Sequence, residues 1–265
     1  MKEQRTFYYT DELNDEFSGI TRKTRVIDEK FKYVHKNFFW KICEFFAYRI
    51  IMLPFAYLYT KIKFSNKIIG KEKLKEVKKS GYFMYANHTL MGGDAFIPNI
   101  VNWPRKTYTV VHPDNISTKF CPWNTFLLMN GALPLPANLK ASKNFLDALE
   151  HFADKGQALQ IYPEAHIWPY YTKIRPFKEI SFRYPVKFDK PVFCFTNTYH
   201  KRRHGDKVKV ITYIDGPFYR DVELSPKEQE MDLRDRVYEA MCERAKLSTY
   251  EYTTFIKVEK QEEKV

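Results

Sequence analysis

The feature that most constrains the fold is a short apolar run that ends in polar residues and is followed by a helical pattern. Residues 82–86 (Tyr-Phe-Met-Tyr-Ala) predict a buried strand, and residues 95–100 predict a helix. His88 and Asp94 lie between them, at a strand-to-helix turn, where α/β folds usually carry their chemistry. Histidine titrates near neutral pH and a carboxylate can fix its tautomer. This turn therefore has the minimum equipment for taking a proton from a hydroxyl.

The rest of the chain repeats this alternation of strands and helices. Further strands are predicted at residues 67–69, 106–112, 158–162, 191–200 and 207–214. Further helices are predicted at residues 71–79, 116–130, 141–155 and 226 to about 247. We expect an α/β fold with a mixed, largely parallel central sheet flanked by helices, and with an N-terminal membrane-associated helical segment.

The most apolar stretch covers residues 38–60. A spanning helix needs about 20 mostly uncharged residues, and here Lys41, Glu44, Arg49 and Pro54 interrupt the pattern. We expect an interfacial or re-entrant helical pair broken at Pro54, with the cations reaching the headgroups and the aromatic rings at headgroup depth. The alternative is a helix buried against the domain.

The composition favours an anionic partner. The 265 residues include 44 Lys and Arg against 32 Asp and Glu, a formal charge of +12. Such a surplus suits nucleic acid, an anionic membrane or phosphorylated small molecules. The four cysteines are widely separated, which indicates reduced thiols in a cytoplasmic protein. We expect no secretory signal, since the start of the sequence lacks an apolar core.

Polar residues also follow a second predicted strand, where Glu164 and His166 come after residues 158–162. Strands that end at one edge of a sheet place the residues that follow them side by side. We therefore expect Glu164 to lie near His88 and Asp94.

The order of these blocks resembles the glycerophospholipid acyltransferase family, which contains the 1-acyl-glycerol-3-phosphate acyltransferases. The family pattern N-H-x-S-x-x-D resembles residues 87–94, and F-P-E-G-T-R resembles Tyr-Pro-Glu-Ala-His-Ile at 162–167. An F-K run and a V-P-V-x-P strand resemble residues 176–180 and 190–195. The likeness covers roughly residues 65–215. Each block alone is weak, but four in the right order make a strong signal.

The sequence departs from the family pattern in two respects. Five residues separate His88 from Asp94 where the family has four, and we expect the flexible Gly92-Gly93 pair to absorb the extra one. Two arginines that hold the acceptor's phosphate in the family are absent, one at Ile167 and one in the motif around Gly131. The candidates to replace them are Arg175, Lys178, Lys140 and Lys143.

The resemblance implies a mechanism. His88 would act as general base on an acceptor hydroxyl, with Asp94 holding the ring in the right tautomer. The hydroxyl oxygen would attack the thioester of acyl-CoA or acyl-carrier protein, and backbone N–H groups near Gly92 and Gly93 would meet the oxyanion. No metal or redox cofactor is implied. The residues expected to bind substrate are Asn87, Thr89, Gly131, Glu164, His166, Arg175 and Lys178.

The same resemblance divides the chain into an arm with membrane-associating helices (residues 1–64), an acyltransferase domain (65–247) and a charged tail (248–265). It implies phospholipid synthesis at the cytoplasmic face of a membrane, with a lysophospholipid acceptor, most simply 1-acyl-glycerol-3-phosphate. The expected partners are an anionic membrane surface, the acyl thioester and this acceptor, without nucleic acid. Two alternatives stay open: a related acyltransferase with a non-glycerophosphate acceptor, and a non-catalytic basic protein that binds membrane or nucleic acid.

Overall fold

Two sheets organise the computed structural model, which describes residues 5–17, 19, 24–77, 80–118 and 121–259. The strands of the described part are β1 (Arg5–Tyr9), β2 (Lys67–Ile69), β3 (Tyr82–Ala86), β4 (Thr107–Val111), β5 (Ala132–Pro134), β6 (Ala158–Ile161), β7 (Val192–Lys201), β8 (Val208–Phe218) and β9 (Thr253–Lys257). The α-helices are α1 (Phe38–Phe45), α2 (Leu53–Phe64), α3 (Ile97–Asn102), α4 (Cys121–Met129), α5 (Leu139–Asp154), α6 (Arg183–Phe188) and α7 (Pro226–Ala245).

The larger sheet has seven strands in the order β2-β8-β7-β3-β6-β4-β5. Neighbouring strands are parallel throughout, except that β7 and β8 form an antiparallel hairpin. The predicted mixed, largely parallel sheet is therefore confirmed. β3 lies at its centre and is buried along its whole length, which accounts for its continuous apolar sequence.

Each face of this sheet is covered by helices. Successive side chains of a strand point to opposite faces, so Phe83 and Tyr85 enter the core formed with α5 and α7. Tyr82 and Met84 enter a second core, to which α2 and α3 contribute. This layering fixes β3 on both sides, and with it the position of the turn that follows.

Residues 38–64 form one continuous helix, in which a π-helical stretch, Phe46–Met52, joins α1 to α2. The predicted break at Pro54 is wrong. Pro54 lies in the first turn of α2, directly after the π-helical stretch. A proline clashes with the carbonyl four residues earlier in an α-helix, and the change of hydrogen-bond register at this point accommodates it.

This helix is the one in the described residues that is long and apolar enough to cross a membrane, and only 22% of its most apolar window is buried. The prediction of a helix buried against the domain is therefore not supported. The apolar side chains left exposed along it are Phe38, Phe39, Ile42, Phe45, Phe46, Ile50, Ile51, Phe55, Tyr57, Leu58 and Ile62.

The second sheet joins the two ends of the chain, because β1 pairs in parallel with β9 and Phe7 lies opposite Phe255. Neither strand is predicted from the sequence. The loop that follows β1 continues over the same region, and Asp15 there accepts hydrogen bonds from the amides of Thr10 and Asp11. We refer to β1, β9 and residues 10–17 together as the terminal clasp.

Candidate active site

Two neighbouring strand ends bring the predicted site residues together. β3 and β6 are paired in parallel, with Tyr85 opposite Ile161. The residues that follow them therefore meet at one edge, and the backbone N–H of His88 donates to Oε2 of Glu164 at 2.9 Å. The predicted proximity of the two motifs is present.

His88 and Asp94 form a direct contact, with 2.8 Å between Nδ1 and Oδ2. The same carboxylate oxygen accepts from the N–H of Leu90 at 3.1 Å. Burial raises the pKa of Asp94, and the bond to His88 acts in the opposite direction. A carboxylate at Nδ1 favours the tautomer with the proton on that atom, which leaves Nε2 with its lone pair. The His88 side chain is 24% exposed, so Nε2 is the nitrogen that can meet a substrate.

The glycine pair absorbs the extra residue of the turn, as the sequence predicts. Gly92 has a φ of +72°, and a Cβ there would lie 2.9 Å from the Tyr59 hydroxyl. A Cβ on Gly93 would lie 2.2 Å from the Leu90 side chain. The N–H groups of Gly93 and Asp94 both donate to the carbonyl of Leu90, which closes the turn. Glycine is required at both positions, one for its conformation and one for space.

Tyr162 is a site residue whose role is not predicted from the sequence, although it begins the second motif. Its ring stacks on the His88 imidazole with 4.5 Å between centroids and an interplanar angle of 25°. Its hydroxyl donates to the backbone carbonyl of Asp94 at 2.6 Å. Tyr162 therefore holds both members of the pair. Its position two residues before Glu164, directly after a buried strand, was the signal available in the sequence.

Asn87 and Thr89 were predicted to bind substrate, and the structure places both inside the protein. Asn87 Nδ2 donates to Thr89 Oγ1 and to the carbonyl of Asn197, while its Oδ1 accepts from the N–H of Asn197. Thr89 Oγ1 also lies 2.6 Å from the Tyr199 hydroxyl. Both side chains are buried. They tie the His88 turn to β7, and the prediction of substrate contact is wrong for them.

Arg175 was predicted to replace a phosphate-binding arginine, and this is also wrong, because its side chain is only 1% exposed. Its Nη1 donates to the carbonyl of Glu12 at 3.1 Å, and its Nη2 donates to the carbonyls of Glu164 and His166. Glu164 Oε2 lies 3.7 Å from Nη2. A guanidinium enclosed by carbonyls in this way organises a loop and cannot reach a ligand.

Glu164 is fully enclosed as well. Oε1 accepts from the N–H of Arg175 at 3.0 Å, while Oε2 accepts from that of His88. Burial raises the pKa of Glu164, with the charge of Arg175 and the two N–H donors opposing that shift. Glu164 therefore orders the Arg175 loop, and the predicted substrate contact is wrong for it because its side chain has no exposed surface.

No family model matches the chain, and neither does any curated protein sequence. Its structure is similar to the crystal structure of the 1-acyl-sn-glycerophosphate (LPA) acyltransferase PlsC from Thermotoga maritima. The TM-score is 0.51 at 20% sequence identity, over 80% of this chain and 81% of that chain. The two proteins share a fold. This confirms the α/β architecture that the motif order implied.

The remaining predicted residues are spread more widely. His166 is half-buried, with Nδ1 3.5 Å from Oε2 of Glu16, so it faces the terminal clasp. Lys178 is exposed just before a 3-10 helix, Glu179–Phe182, and no hydrogen bond or ion pair joins it to the His88 turn in the described part of the chain. Lys178 is thus an exposed cation, as is Lys173 five residues earlier.

Gly131 does not belong to this site. It precedes β5, so it lies at the opposite end of the strands from His88, and β5 is three strands away, roughly 14 Å across the sheet. A Cβ there would lie 2.2 Å from the carbonyl of Thr107, and its φ is +92°. Gly131 is therefore needed for a close backbone approach, and the predicted substrate contact is wrong.

Four of the amides near the expected oxyanion position are engaged elsewhere. The N–H groups of Gly93, Asp94, Phe96 and Ile97 all donate to carbonyls within the turn and the start of α3. The predicted oxyanion role is therefore wrong for these four amides. Among the described residues there is no group of three or more His, Cys, Asp or Glu side chains that could hold a metal ion.

Proposed function

We propose that this chain is an acyltransferase that moves a fatty acyl group from a thioester to a hydroxyl. The observation that carries the proposal is the His88–Asp94 pair, with 2.8 Å between Nδ1 and Oδ2 and with the His88 side chain 24% exposed. It lies at the carboxyl end of a central parallel strand, where such folds carry their chemistry. The fold itself is shared with PlsC.

The chemistry needs one proton relay. Nε2 of His88 removes the proton of the acceptor hydroxyl as its oxygen attacks the thioester carbonyl carbon. The carbon–oxygen bond forms, the carbon–sulfur bond breaks, and the thiolate takes the proton back from the imidazolium. The products are an ester and a free thiol. Asp94 stabilises the imidazolium, and Tyr162 positions the pair by stacking on the imidazole and donating to the Asp94 carbonyl. A thioester is already activated, so no covalent enzyme intermediate is required.

For the substrates, we take acyl-CoA or acyl-carrier protein as donor and a lysophospholipid, 1-acyl-glycerol-3-phosphate first, as acceptor. Four family-like blocks in order support this choice, together with the acyltransferase named in the structural comparison. His88 and Asp94 are the catalytic pair in this proposal. Lys178 is an exposed cation that could bind a phosphate, and His166 is proposed as a second substrate contact.

The helix of residues 38–64 supports the proposed association with a membrane. Eleven of its large apolar side chains are exposed in the structure, and contiguous apolar surface on this scale marks an interaction site. A net charge of +12 suits an anionic lipid surface. We place the protein at the cytoplasmic face of a membrane, as a peripheral or monotopic enzyme with its acceptor in the same leaflet.

One observation favours a second candidate, an acyltransferase with a non-glycerophosphate acceptor. The arginine expected to hold the acceptor's phosphate, Arg175, is enclosed by the carbonyls of Glu12, Glu164 and His166. A phosphate cannot reach its guanidinium while these bonds are made. A panel of lysophosphatidate, neutral lysolipids, sterols and amines separates the candidates, and a clear preference for lysophosphatidate would reject the second one.

The decisive experiment replaces His88 by alanine and measures acyl transfer from a labelled thioester to the acceptor panel by lipid mass spectrometry. We expect loss of transfer with unfolding behaviour close to wild type, since the ring is partly exposed. His112→Ala is the matched control, because His112 also lies beside an aspartate after a strand, with 3.1 Å between its Nδ1 and Asp114 Oδ2. Full activity in His88→Ala, or loss in His112→Ala alone, would reject the assignment.

A further inference from the structure

We propose that the two ends of the chain are part of the catalytic apparatus: the terminal clasp grips residues 162–176, and this segment sets the orientation of His88. The inference rests on the proposed acyl transfer. It makes Trp168 and Arg175 positioning residues, since neither contacts the reactive nitrogen. It also gives a reason for a parallel pairing between strands from opposite ends of the sequence.

The clasp holds Trp168 from three sides. The indole stacks on Phe255 of β9 with centroids 4.9 Å apart and an interplanar angle of 9°. Tyr9 of β1 and Phe17 contact it at 4.8 and 5.2 Å. Its Nε1–H donates to the carbonyl of Asp15 at 2.8 Å. Trp168 has no exposed surface, so its position is determined by both ends of the chain.

Arg175 forms the second attachment. Its guanidinium lies over the Trp168 ring at 4.9 Å and donates through Nη1 to the carbonyl of Glu12. Through Nη2 it donates to the carbonyls of Glu164 and His166, on either side of Ala165. One cation therefore joins the loop of the clasp to the turn that follows β6.

Residues 162–176 form hydrogen bonds with the backbone on both sides of the His88 side chain. The N–H of Trp168 donates to the carbonyl of His88 at 3.1 Å, and the N–H of Tyr170 donates to that of Thr89 at 2.6 Å. On the other side, Glu164 accepts the N–H of His88. Trp168 joins the clasp to His88 most directly, because its ring packs against the clasp and its N–H donates to the carbonyl of His88.

The clasp is separate from the packing that stabilises the main sheet. Of the described residues, Tyr9, Trp168 and Phe255 all lie outside the two cores on either face of β3. Loosening the clasp should therefore leave the seven-stranded sheet folded. What it should change is the angle at which the imidazole meets a hydroxyl, and a displacement of about 1 Å can cost roughly 100-fold in rate.

The test compares Trp168→Ala, Trp168→Phe, Phe255→Ala and the double variant Trp168→Ala/Phe255→Ala in the full chain. We expect kcat to fall about 10- to 100-fold in each alanine variant, with KM nearly unchanged. Trp168→Phe, which keeps the ring stack, should retain most activity. The double variant should lose little more than either single one, since stacked residues act as a unit. Trp123→Ala, a half-exposed tryptophan on α4, is the matched control and should keep wild-type kcat.

A second readout does not depend on activity. Nitrogen NMR of His88 should show the proton on Nδ1 in the wild type and a mixture of tautomers in the alanine variants. If the wild type shows no acyl transfer but the tautomer shifts as expected, the proposed function fails and the positioning role stands. An unchanged kcat and tautomer in folded variants, or a rise in KM with kcat unchanged, would overturn the inference. Phe255→Leu serves if Phe255→Ala does not fold.

Discussion

The site contains two pairs of oppositely chargeable side chains, and they differ in what surrounds them. His88 and Asp94 are 2.8 Å apart, with the imidazole side chain 24% exposed and only Nδ1 used by the pair. Glu164 and Arg175 are 3.7 Å apart and almost wholly enclosed, with both carboxylate oxygens accepting backbone N–H groups. Both pairs follow adjacent strands, and both were predicted to be functional. The first pair is the one that a substrate can reach, as the proposed mechanism requires, and the second builds the loop that holds it.

The sharpest test of this division is Asp94→Asn. An amide at this position can donate to Nδ1 and so favour the wrong tautomer of His88. We expect kcat to fall about 100- to 10,000-fold, the scale for losing such an orienting carboxylate, while the free energy of unfolding changes far less. Acyl-transfer rates and urea unfolding on the same preparation measure both quantities. A variant that stays active would show that Asp94 only stabilises the turn.

Glu164→Gln should lower mainly the stability of the protein, whereas Asp94→Asn should lower mainly kcat. Glutamine offers one acceptor where Glu164 satisfies the N–H groups of both His88 and Arg175, and it leaves the Arg175 charge buried without its partner. Breaking a buried ion pair costs roughly 3 kcal/mol of unfolding free energy. We expect this loss by chemical denaturation, with a smaller fall in kcat than for Asp94→Asn. Unchanged stability together with a large loss of kcat would reverse the assignment of the two pairs.

The same contrast shows what the sequence could predict. His88 and Asp94 lie six positions apart, so their contact depends on one local turn, and the motif with its two glycines predicted it. The enclosure of Arg175 depends on the carbonyl of Glu12, which is remote along the chain and belongs to an unpredicted strand and loop. β1 and β9 are five residues each and mix polar with aromatic residues, so neither gives a clear period-two pattern.

Gly131 illustrates a different failure. Its place in the motif order suggested a substrate contact, but order along the chain does not tell at which end of a strand a residue lies. Gly131 precedes its strand, whereas His88 and Glu164 follow theirs. The break expected at Pro54 failed for a related reason, because the composition does not show that a π-helical stretch precedes the proline.

Asp215 extends the comparison to an ion pair outside the site. It lies on β8 and accepts from Arg244 and Lys73 at 2.7 to 2.8 Å. Burial acts to raise its pKa, but the bonds to Arg244 and Lys73 lower it below the ordinary value of 3.8. The pKa is therefore lower in the folded than in the unfolded chain, so this stabilisation is present above pH 3.8 and is lost as the pH falls through the folded value.

Asp215→Asn should accordingly lower the free energy of unfolding by roughly 1–3 kcal/mol at pH 7, without changing kcat. The difference from wild type should shrink as the pH falls below 3.8. Denaturation curves at a series of pH values measure it. Asp206→Asn is the control, because its pair with Lys201 is exposed and should contribute little. A pH-independent difference would mean that packing, and not charge, is what Asp215 supplies.

The smallest effect on stability is expected at Ala165, which directly follows Glu164 in the turn after β6. Its φ is +63°, and the N–H of His166 donates to the carbonyl of Glu164 at 2.7 Å, a strained γ-turn. Ala165→Gly removes the Cβ penalty of about 1–2 kcal/mol but makes the unfolded chain more flexible, at a cost of about 0.4–1 kcal/mol. We expect a net gain of at most about 1.6 kcal/mol, or up to about 3 °C in Tm.

Ala137→Gly is the control for that substitution, because Ala137 is an exposed loop alanine without a positive φ and should only lose stability. Scanning calorimetry measures both variants. If Ala165→Gly raises Tm and leaves kcat unchanged, the turn's strain is incidental, since Arg175 still gathers the same two carbonyls. If Tm rises while kcat falls, the backbone strain at Ala165 helps to hold residues 162–176 against His88. Glu164 and Arg175 would then contribute to the rate by keeping this loop rigid.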